Sequence, residues 1–471
     1  MITARQGINN LINFAREKTE QFVYSYFFPT IVALIVLLFW VANLQMVGFA
    51  IVTLIACLVL IVYDDFLPLV SFVFIIPMCF INTRELFSTS LVPTIIIFAF
   101  LLCSIVFHFI KYPTKITLDK YFYMLICVAI VFVIGGLYTL KFDNYFAVID
   151  LFAISAVMPI AIHVFFYNKT KLNDKIDYRK YFCFCVICAV TLASLQLCYA
   201  HLYVKINGHW FFGKFPGGFS WANTNHIASI ILIAVPLCCY MMTSSKYIIA
   251  WFVELLFLYV TVYLSGSDGT FATLLIFSPF LMYVLYQNTY RYNRKILINF
   301  YCFMISCVVL VLAYLCLFKS EIFLDYILVS SSGNGRKPLY TLALENFLSQ
   351  PIFGLGFGQG RYDLDNKLSI VHNGFYHSTL FHLLSCAGII GVIVYIIYYV
   401  VRIKYLTKGD TILGKYALFA FFMFACYGMV DNTEFNIVLM FMTTIITVVG
   451  LMNKKGSDDK PLPLYIKTPK F

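Results

Sequence analysis

SYFFPTIVALIVLLFWVANLQMVGFAIVTLIACLVLIVY, residues 25–63, carries no charged side chain and breaks only at the polar Ala42-Asn43-Leu44-Gln45 step. Crossing the roughly 30 Å of bilayer hydrocarbon takes a helix of about 20 apolar residues. This stretch therefore reads as two such helices, 25–43 and 46–63, joined by a tight turn. The same pattern recurs along the chain at 66–83, 91–110, 119–140, 145–167, 181–203, 225–243, 247–264, 269–287, 296–318, 376–401, 414–430 and 435–452. The span 66–83 is the weakest, being short and carrying Pro68 and Pro77. Composition agrees: 62% of residues are hydrophobic and 12% charged, with a mean hydropathy of +0.88. A water-soluble surface cannot be built from that mixture. The expected fold is an all-α, polytopic membrane helix bundle of about 14 spans, or 12 if 46–83 holds a re-entrant pair.

A formal net charge of +11 could suggest nucleic acid, but the basic residues form no single patch. They punctuate the gaps between apolar runs, which is how positive charge orients helices against an anionic inner leaflet. Most of the 33 Lys and Arg fall on one side if both termini are cytoplasmic, with Lys111, Lys115, Lys169, Lys171, Arg294, Arg402 and Lys404 among them. The expected location is the cytoplasmic (inner) membrane. Residues 1–24 form a cytoplasmic segment without a cleavable signal pattern, 25–452 the bundle, and 453–471 a cytoplasmic tail. Ile8, Leu11, Ile12 and Phe14 could lay the first segment on the inner face as a short helix. The 15 cysteines lie almost entirely within apolar runs, against a disulfide framework. Cys183, Cys185 and Cys188 open an apolar helix and read as filler rather than as a metal site.

Two exterior segments exceed a turn. The first, 204–224, holds His209, Trp210, Lys214, Pro216 and Trp221. The second, 319–375, is the longest interruption in the chain, and long ordered loops commonly carry function. Within it Gly333-Asn334-Gly335 makes a turn, and Pro338 suits a first helical turn. Leu339, Leu342, Ala343, Phe347 and Leu348 recur at helical spacing, predicting a short amphipathic helix over 338–349 on the membrane surface. Pro351 stops it. The glycine-rich stretch Gly354–Gly360 follows, and its residues allow close backbone approach. No strand-turn-helix unit surrounds it, so it is no dinucleotide fingerprint.

The order of these pieces resembles the O-antigen ligase and O-antigen polymerase family of bacterial membrane glycosyltransferases. Over residues 215–400 four elements carry the resemblance. Gly218–Ala228, with Trp221, Asn223 and Asn225, resembles the family's Asn-Pro-Asn entry to a span, Thr224 replacing the proline. Ser265-Gly-Ser-Asp268-Gly269 lies where the family has a Ser-Arg-Gly turn. Gly335-Arg336, a helix and Pro351–Gly358 form the third. The fourth is His372-Asn373-Gly374-Phe-Tyr376, leading into a span marked by Gly388 and Gly391. The resemblance implies transfer or polymerisation of a polyprenyl-diphosphate-linked oligosaccharide onto a glycan or lipid acceptor at the outer membrane face. It implies an inverting reaction without a metal or other cofactor. Asp268 stands where the family holds the donor diphosphate with arginine. An acid there would repel an anionic donor, so this chain must hold the diphosphate by other groups or use another donor.

Such chemistry needs a cation for the diphosphate, a base for the acceptor hydroxyl and an apolar slot for the lipid. Arg336, with Lys337 beside it, is the candidate clamp: a guanidinium fork matches phosphate oxygens, and a helix N-terminus favours anions. The alternative is an arginine reaching to lipid headgroups. His372 is the candidate general base, its near-neutral titration suiting hydroxyl activation; the alternative is a structural hydrogen bond at the interface. Asn373 and Tyr376 could orient the histidine, bind sugar, or brace the fold. Asn223, Asn225, Trp221 and Asp268 complete the candidate substrate-binding set. His377 and His382 follow His372 at intervals of five, which scatters imidazoles around a helix and disfavours a metal site; His382 reads as buried and hydrogen-bonded. Asp150 and Glu254 are acids within predicted spans, costly by default. The competing reading is a transporter or flippase for lipid-linked sugar, although the repeats expected of one are not visible.

Overall fold

The structure, a computed structural model, describes residues 17–79, 91–137, 145–172, 177–203, 205–206, 209–210, 223–245, 247–289, 295, 298, 302, 336–357 and 376–455. The span expected at 296–318 lies outside that set except for isolated positions, as do most of both long exterior segments. The described chain is helical, apart from one antiparallel pairing of Lys205–Ile206 (β1) with His209–Trp210 (β2).

The apolar runs fold as α1 (Phe27–Val41), α2 (Gln45–Val62), α3 (Val70–Ile75), α4 (Leu91–Lys111), α5 (Lys120–Leu137), α6 (Tyr145–Phe152), α7 (Met158–Lys169) and α8 (Tyr178–Tyr203). They continue as α9 (Thr224–Ser244), α10 (Ile248–Leu264), α11 (Asp268–Asn288), α12 (Arg336–Ser349), α13 (Thr379–Thr407), α14 (Ile412–Gly428) and α15 (Val438–Lys455). Among the described residues six helices are long and apolar enough to cross a bilayer. The count becomes seven if α1 and the preceding helix Glu17–Val23, bent by 65°, form one span. Six further apolar stretches are 10–17 residues long. Exposed Val92, Ile95, Phe98, Phe100, Leu102, Val106 and Ile110 make α4 an almost wholly apolar outer surface. That surface is stable only against lipid, and the chain is a multi-pass membrane protein.

α9 occupies the centre, packed by α8, α10, α11 and α14. Every residue from 227 to 243 is buried, as expected of a helix apolar on all sides. α13 packs on α5, α12 and α14, and α15 on α7.

Three expectations are corrected. The span at 66–83 is a chain of short pieces, Leu67–Leu69, α3 and Ile76–Cys79, because Pro68 and Pro77 deny continuous helical hydrogen bonding. Arg402 is not a cytoplasmic-loop charge. It lies inside α13, fully buried, with Glu434 as its counter-ion. The helix predicted over 338–349 begins at Arg336 and packs on protein: Leu339 and Ala343 are buried, Tyr340 stacks on Phe381 at 4.4 Å, and Leu348 is left 74% exposed.

The glycine-rich stretch has a structural role. α13 breaks at Gly388 (φ +60°, ψ −160°), and the segment 351–357 fills the break. Leu355 N donates to Ser385 O (2.8 Å), Gly356 N to Cys386 O (3.0 Å) and Ile389 N to Pro351 O (2.9 Å). A Cβ on Gly354 would lie 2.4 Å from Cys386 C, and one on Gly388 2.5 Å from Ile352 O. Only glycine permits both the left-handed turn and this approach. Irregular backbone inside a membrane protein persists where neighbouring protein satisfies its polar groups.

Candidate active site

Asp431 lies in the polar stretch Asp431-Asn432-Thr433-Glu434 that separates α14 from α15, and its side chain is 10% exposed. Four groups from four segments reach its carboxylate. Tyr427 OH donates to Oδ2 at 2.8 Å and Asn225 Nδ2 to the same oxygen at 3.2 Å. Asn432 N donates to Oδ1 at 2.8 Å, and His377 Nδ1 lies 3.4 Å from Oδ1. Burial alone would push this carboxyl up. The His377 hydrogen bond, the neighbouring His226 and His377 imidazoles and the Asn432 N–H outweigh burial and hold it well below the usual carboxylate range. Asp431 is therefore a fixed negative charge at ordinary pH.

Local sequence explains the convergence. Asn223 caps α9, accepting from His226 N at 3.0 Å, so the first turn points Asn225 at Asp431. The Ser265–Gly269 turn seats α11 against the end of α14. Ser267 Oγ lies 3.3 Å from Tyr427 OH and 2.9 Å from Thr270 Oγ1. A Cβ on Gly269 would come within 2.9 Å of Val430 Cγ2. His377 sits just before α13 with φ +48°, a left-handed conformation unusual for a side-chain-bearing residue. Its side chain is 39% exposed. Tyr340, one turn into α12, donates to His377 O at 3.2 Å. The α12 N-terminus thereby lies beside the imidazole-bearing residue.

The predicted residues divide. Asn225 is in the cluster. Asn223 acts as a helix cap, and Asp268 opens α11 with an exposed side chain. Tyr376 is buried, its hydroxyl accepting from Asn346 Nδ2 (2.8 Å) and Ser385 Oγ (2.9 Å), which ties α12 to α13. Arg336 and Lys337 are the first two residues of α12, described in backbone only. His372, Asn373 and Trp221 lie outside the described residues. Asp431, Tyr427, His226 and His377 were missed as a group. The available signal was a run with two acids, Asp431 and Glu434, between two apolar helices where a short turn would suffice.

Below this cluster a polar seam enters the bundle. Arg402 Nη1 meets Glu434 Oε1 at 2.6 Å, and Arg402 Nη2 meets Tyr398 OH at 2.5 Å. Tyr398 OH is 3.4 Å from Tyr121 OH. At the opposite end of the bundle His163 bridges Thr447 (3.0 Å) and Asp119 (2.8 Å), and Tyr405 also donates to Asp119. Elsewhere Glu254 accepts from Thr191 at 2.6 Å and lines a largely apolar cavity of about 640 Å³ with Tyr26, Phe184, Trp251 and Lys180.

No curated protein matches the chain. The family model described as O-antigen ligase matches residues 253–396. That region contains the Ser265–Gly269 turn, α12, the loop that fills the α13 break, and His377. Over residues 253–396, about a third of its length, this chain is similar to the O-antigen ligase family.

Proposed function

We propose that the protein is a membrane glycosyltransferase of the O-antigen ligase and polymerase type. It transfers or polymerises a polyprenyl-diphosphate-linked oligosaccharide onto a glycan or lipid acceptor at the outer face of the cytoplasmic membrane, with both termini cytoplasmic. The observation that carries the reading is the Tyr340 OH to His377 O hydrogen bond. It brings the start of α12, where Arg336 and Lys337 stand, to the bundle end that holds Asp431 and Asn225. A cation at a helix N-terminus beside imidazole and carboxylate suits a diphosphate leaving group and an acceptor hydroxyl.

In this reading Arg336, supported by Lys337, holds the donor diphosphate, and His372 or a neighbouring base takes the acceptor proton. The acceptor oxygen attacks the anomeric carbon. The bond from that carbon to the diphosphate oxygen breaks, and its electron pair leaves with the polyprenyl diphosphate. The configuration inverts, and the charge on the leaving group removes the need for a metal.

Deleting the protein tests this. The predicted result is accumulation of polyprenyl-diphosphate-linked saccharide exposed on the outer side. Short unextended units would identify a polymerase, and full-length chains a ligase. A transporter reading is favoured by one observation, the break in α13 above the buried Arg402–Glu434 pair. It predicts saccharide trapped on the inner side. Absence of any accumulating lipid-linked saccharide would refute both.

A further inference from the structure

We propose that the cavity between α1, α8 and α10 is a binding site for a neutral bilayer lipid whose head is a hydroxyl, of the diacylglycerol kind. Glu254 is its hydrogen-bonding partner. The site lies apart from the Asp431 cluster, and its occupancy does not depend on the glycosyltransferase reading.

α1 and α10 both pack on α8, and the space between them is the cavity of about 640 Å³, within the size range of small-molecule sites. α9 runs from Asn225, beside Asp431, to Ser244, about 30 Å for a helix of 21 residues. Ser245 and Tyr247 follow it and line the cavity, so one end of the cavity lies a bilayer's thickness from Asp431. In the orientation proposed above this is the cytoplasmic leaflet. Leu34, Leu195 and Tyr247 line the cavity and are exposed at the bundle surface. The opening therefore faces lipid, and what enters comes from the bilayer.

The walls are apolar and aromatic. Tyr26 stacks on Phe184 at 4.6 Å, and Phe184 meets Trp251 edge-on at 6.1 Å. The polar groups among them are largely engaged. Thr30 Oγ1 donates to Tyr26 O at 2.8 Å, and Lys180 pairs with Asp177 at 3.1 Å. Trp251 Nε1 and Tyr247 N donate to Ser245 Oγ at 3.1 and 3.0 Å. Glu254 is the exception. Thr191 Oγ1 lies 2.6 Å from its Oε1, and among the described residues no group meets its Oε2.

A carboxyl oxygen facing hydrocarbon costs free energy that a polar partner recovers. An occupant made only of acyl chain leaves that oxygen unsatisfied. Charge narrows the choice further. Asp177 already neutralises Lys180, and an ionised Glu254 repels a phosphate, so an anionic head gains nothing here. A hydroxyl donates to a carboxylate and accepts from a carboxyl. It therefore satisfies Oε2 in either protonation state, while its chains pass Leu34 and Leu195 into the bilayer.

The test uses the full chain in phosphatidylcholine nanodiscs and a diacylglycerol carrying a diazirine on one acyl chain. Illumination should place the label on α1, α8 and α10, read by peptide mass spectrometry. Unlabelled dioleoylglycerol should compete. Trioleoylglycerol, which lacks the hydroxyl, should compete about 10-fold less well or worse. Glu254→Met should weaken labelling by about 10-fold, the loss of one hydrogen bond. Glu254→Gln keeps a hydrogen-bonding head and should stay within about 3-fold of wild type. Ala250→Trp, at an exposed position lining the cavity, should block labelling by filling the space. Undiminished labelling in Glu254→Met or Ala250→Trp, or equal competition by trioleoylglycerol, would overturn the site in favour of hydrocarbon packing alone. Stronger competition by dioleoylphosphatidylglycerol, lost in Lys180→Met, would overturn it in favour of an anionic lipid. Stronger competition by a long-chain amine, lost in Glu254→Gln, would overturn it in favour of a cationic one. A wild-type protein without competable label on these helices would overturn it outright. Each of these results leaves the glycosyltransferase reading where it stands, since that reading is tested by saccharide accumulation.

Discussion

Arg402 Nη1 and Glu434 Oε1 meet at 2.6 Å with both side chains fully buried, joining the C-terminal part of α13 to the polar stretch between α14 and α15. Removing one member of such a pair leaves an uncompensated charge in a medium of low dielectric. Replacing both with apolar groups of similar volume removes the desolvation cost as well. Arg402→Met alone should destabilise the folded protein by about 3–5 kcal/mol. Arg402→Met with Glu434→Met should recover most of it. Thermal unfolding of detergent-solubilised protein measures both, and equal losses in the single and double variants would show that the pair is not a unit.

The α13 break makes a different demand. Gly388→Ala must place a Cβ 2.5 Å from Ile352 O at φ +60°, adding a left-handed cost of about 1–2 kcal/mol to a backbone clash. The segment 351–357 should be expelled, and proteolysis within it should accelerate. Ile389→Ala, at a position 42% exposed on the next residue, should leave cleavage unchanged.

Asp119 gives a pH signature at the opposite end of the bundle. Burial pushes its carboxyl up, but the His163 hydrogen bond and charge, Tyr405 and the Phe122 N–H together bring it down to about 2. A carboxyl lowered on folding contributes stability above its unfolded pKa of about 4 and loses it as pH falls through the folded value. The contribution, on the order of 2 kcal/mol, should be complete at pH 5 and fade between pH 4 and 2. Asp119→Asn should flatten that part of the stability curve, as followed by melting temperature against pH.

Glu254 sits apart from the Asp431 cluster, against Thr191 in the 640 Å³ cavity. Glu254→Met forfeits one hydrogen bond, about 1 kcal/mol, and relieves the burial of a carboxyl group. Melting temperature should change little, and glycan transfer should persist. Loss of transfer in a stably folded Glu254→Met protein would give this cavity a part in the reaction.

Much of the helix pattern was legible because an apolar run of bilayer length has few alternatives to a membrane helix. A helix following Gly335 was legible from Pro338 and the spacing of Leu339, Leu342 and Ala343, though it starts two residues earlier, at Arg336, and the entry to α9 was legible from Asn223. What escaped depended on contacts between distant segments. Counting lysines and arginines by position cannot tell Arg402, paired inside α13, from a cytoplasmic-loop arginine. Gly388 reads as one more small residue in a span until Ile352 and Gly354 are seen against it. Asp431 and His377 are separated by 54 positions, with α13 and α14 between them, so only the fold makes them neighbours.

The central claim is chemical transfer at the bundle end that carries Asp431. Purified full-length protein in liposomes, given the lipid-linked saccharide from the deletion strain and its acceptor, should release polyprenyl diphosphate in step with new glycosidic bonds. Donor that crosses the bilayer intact, with no polyprenyl diphosphate released, would contradict the account.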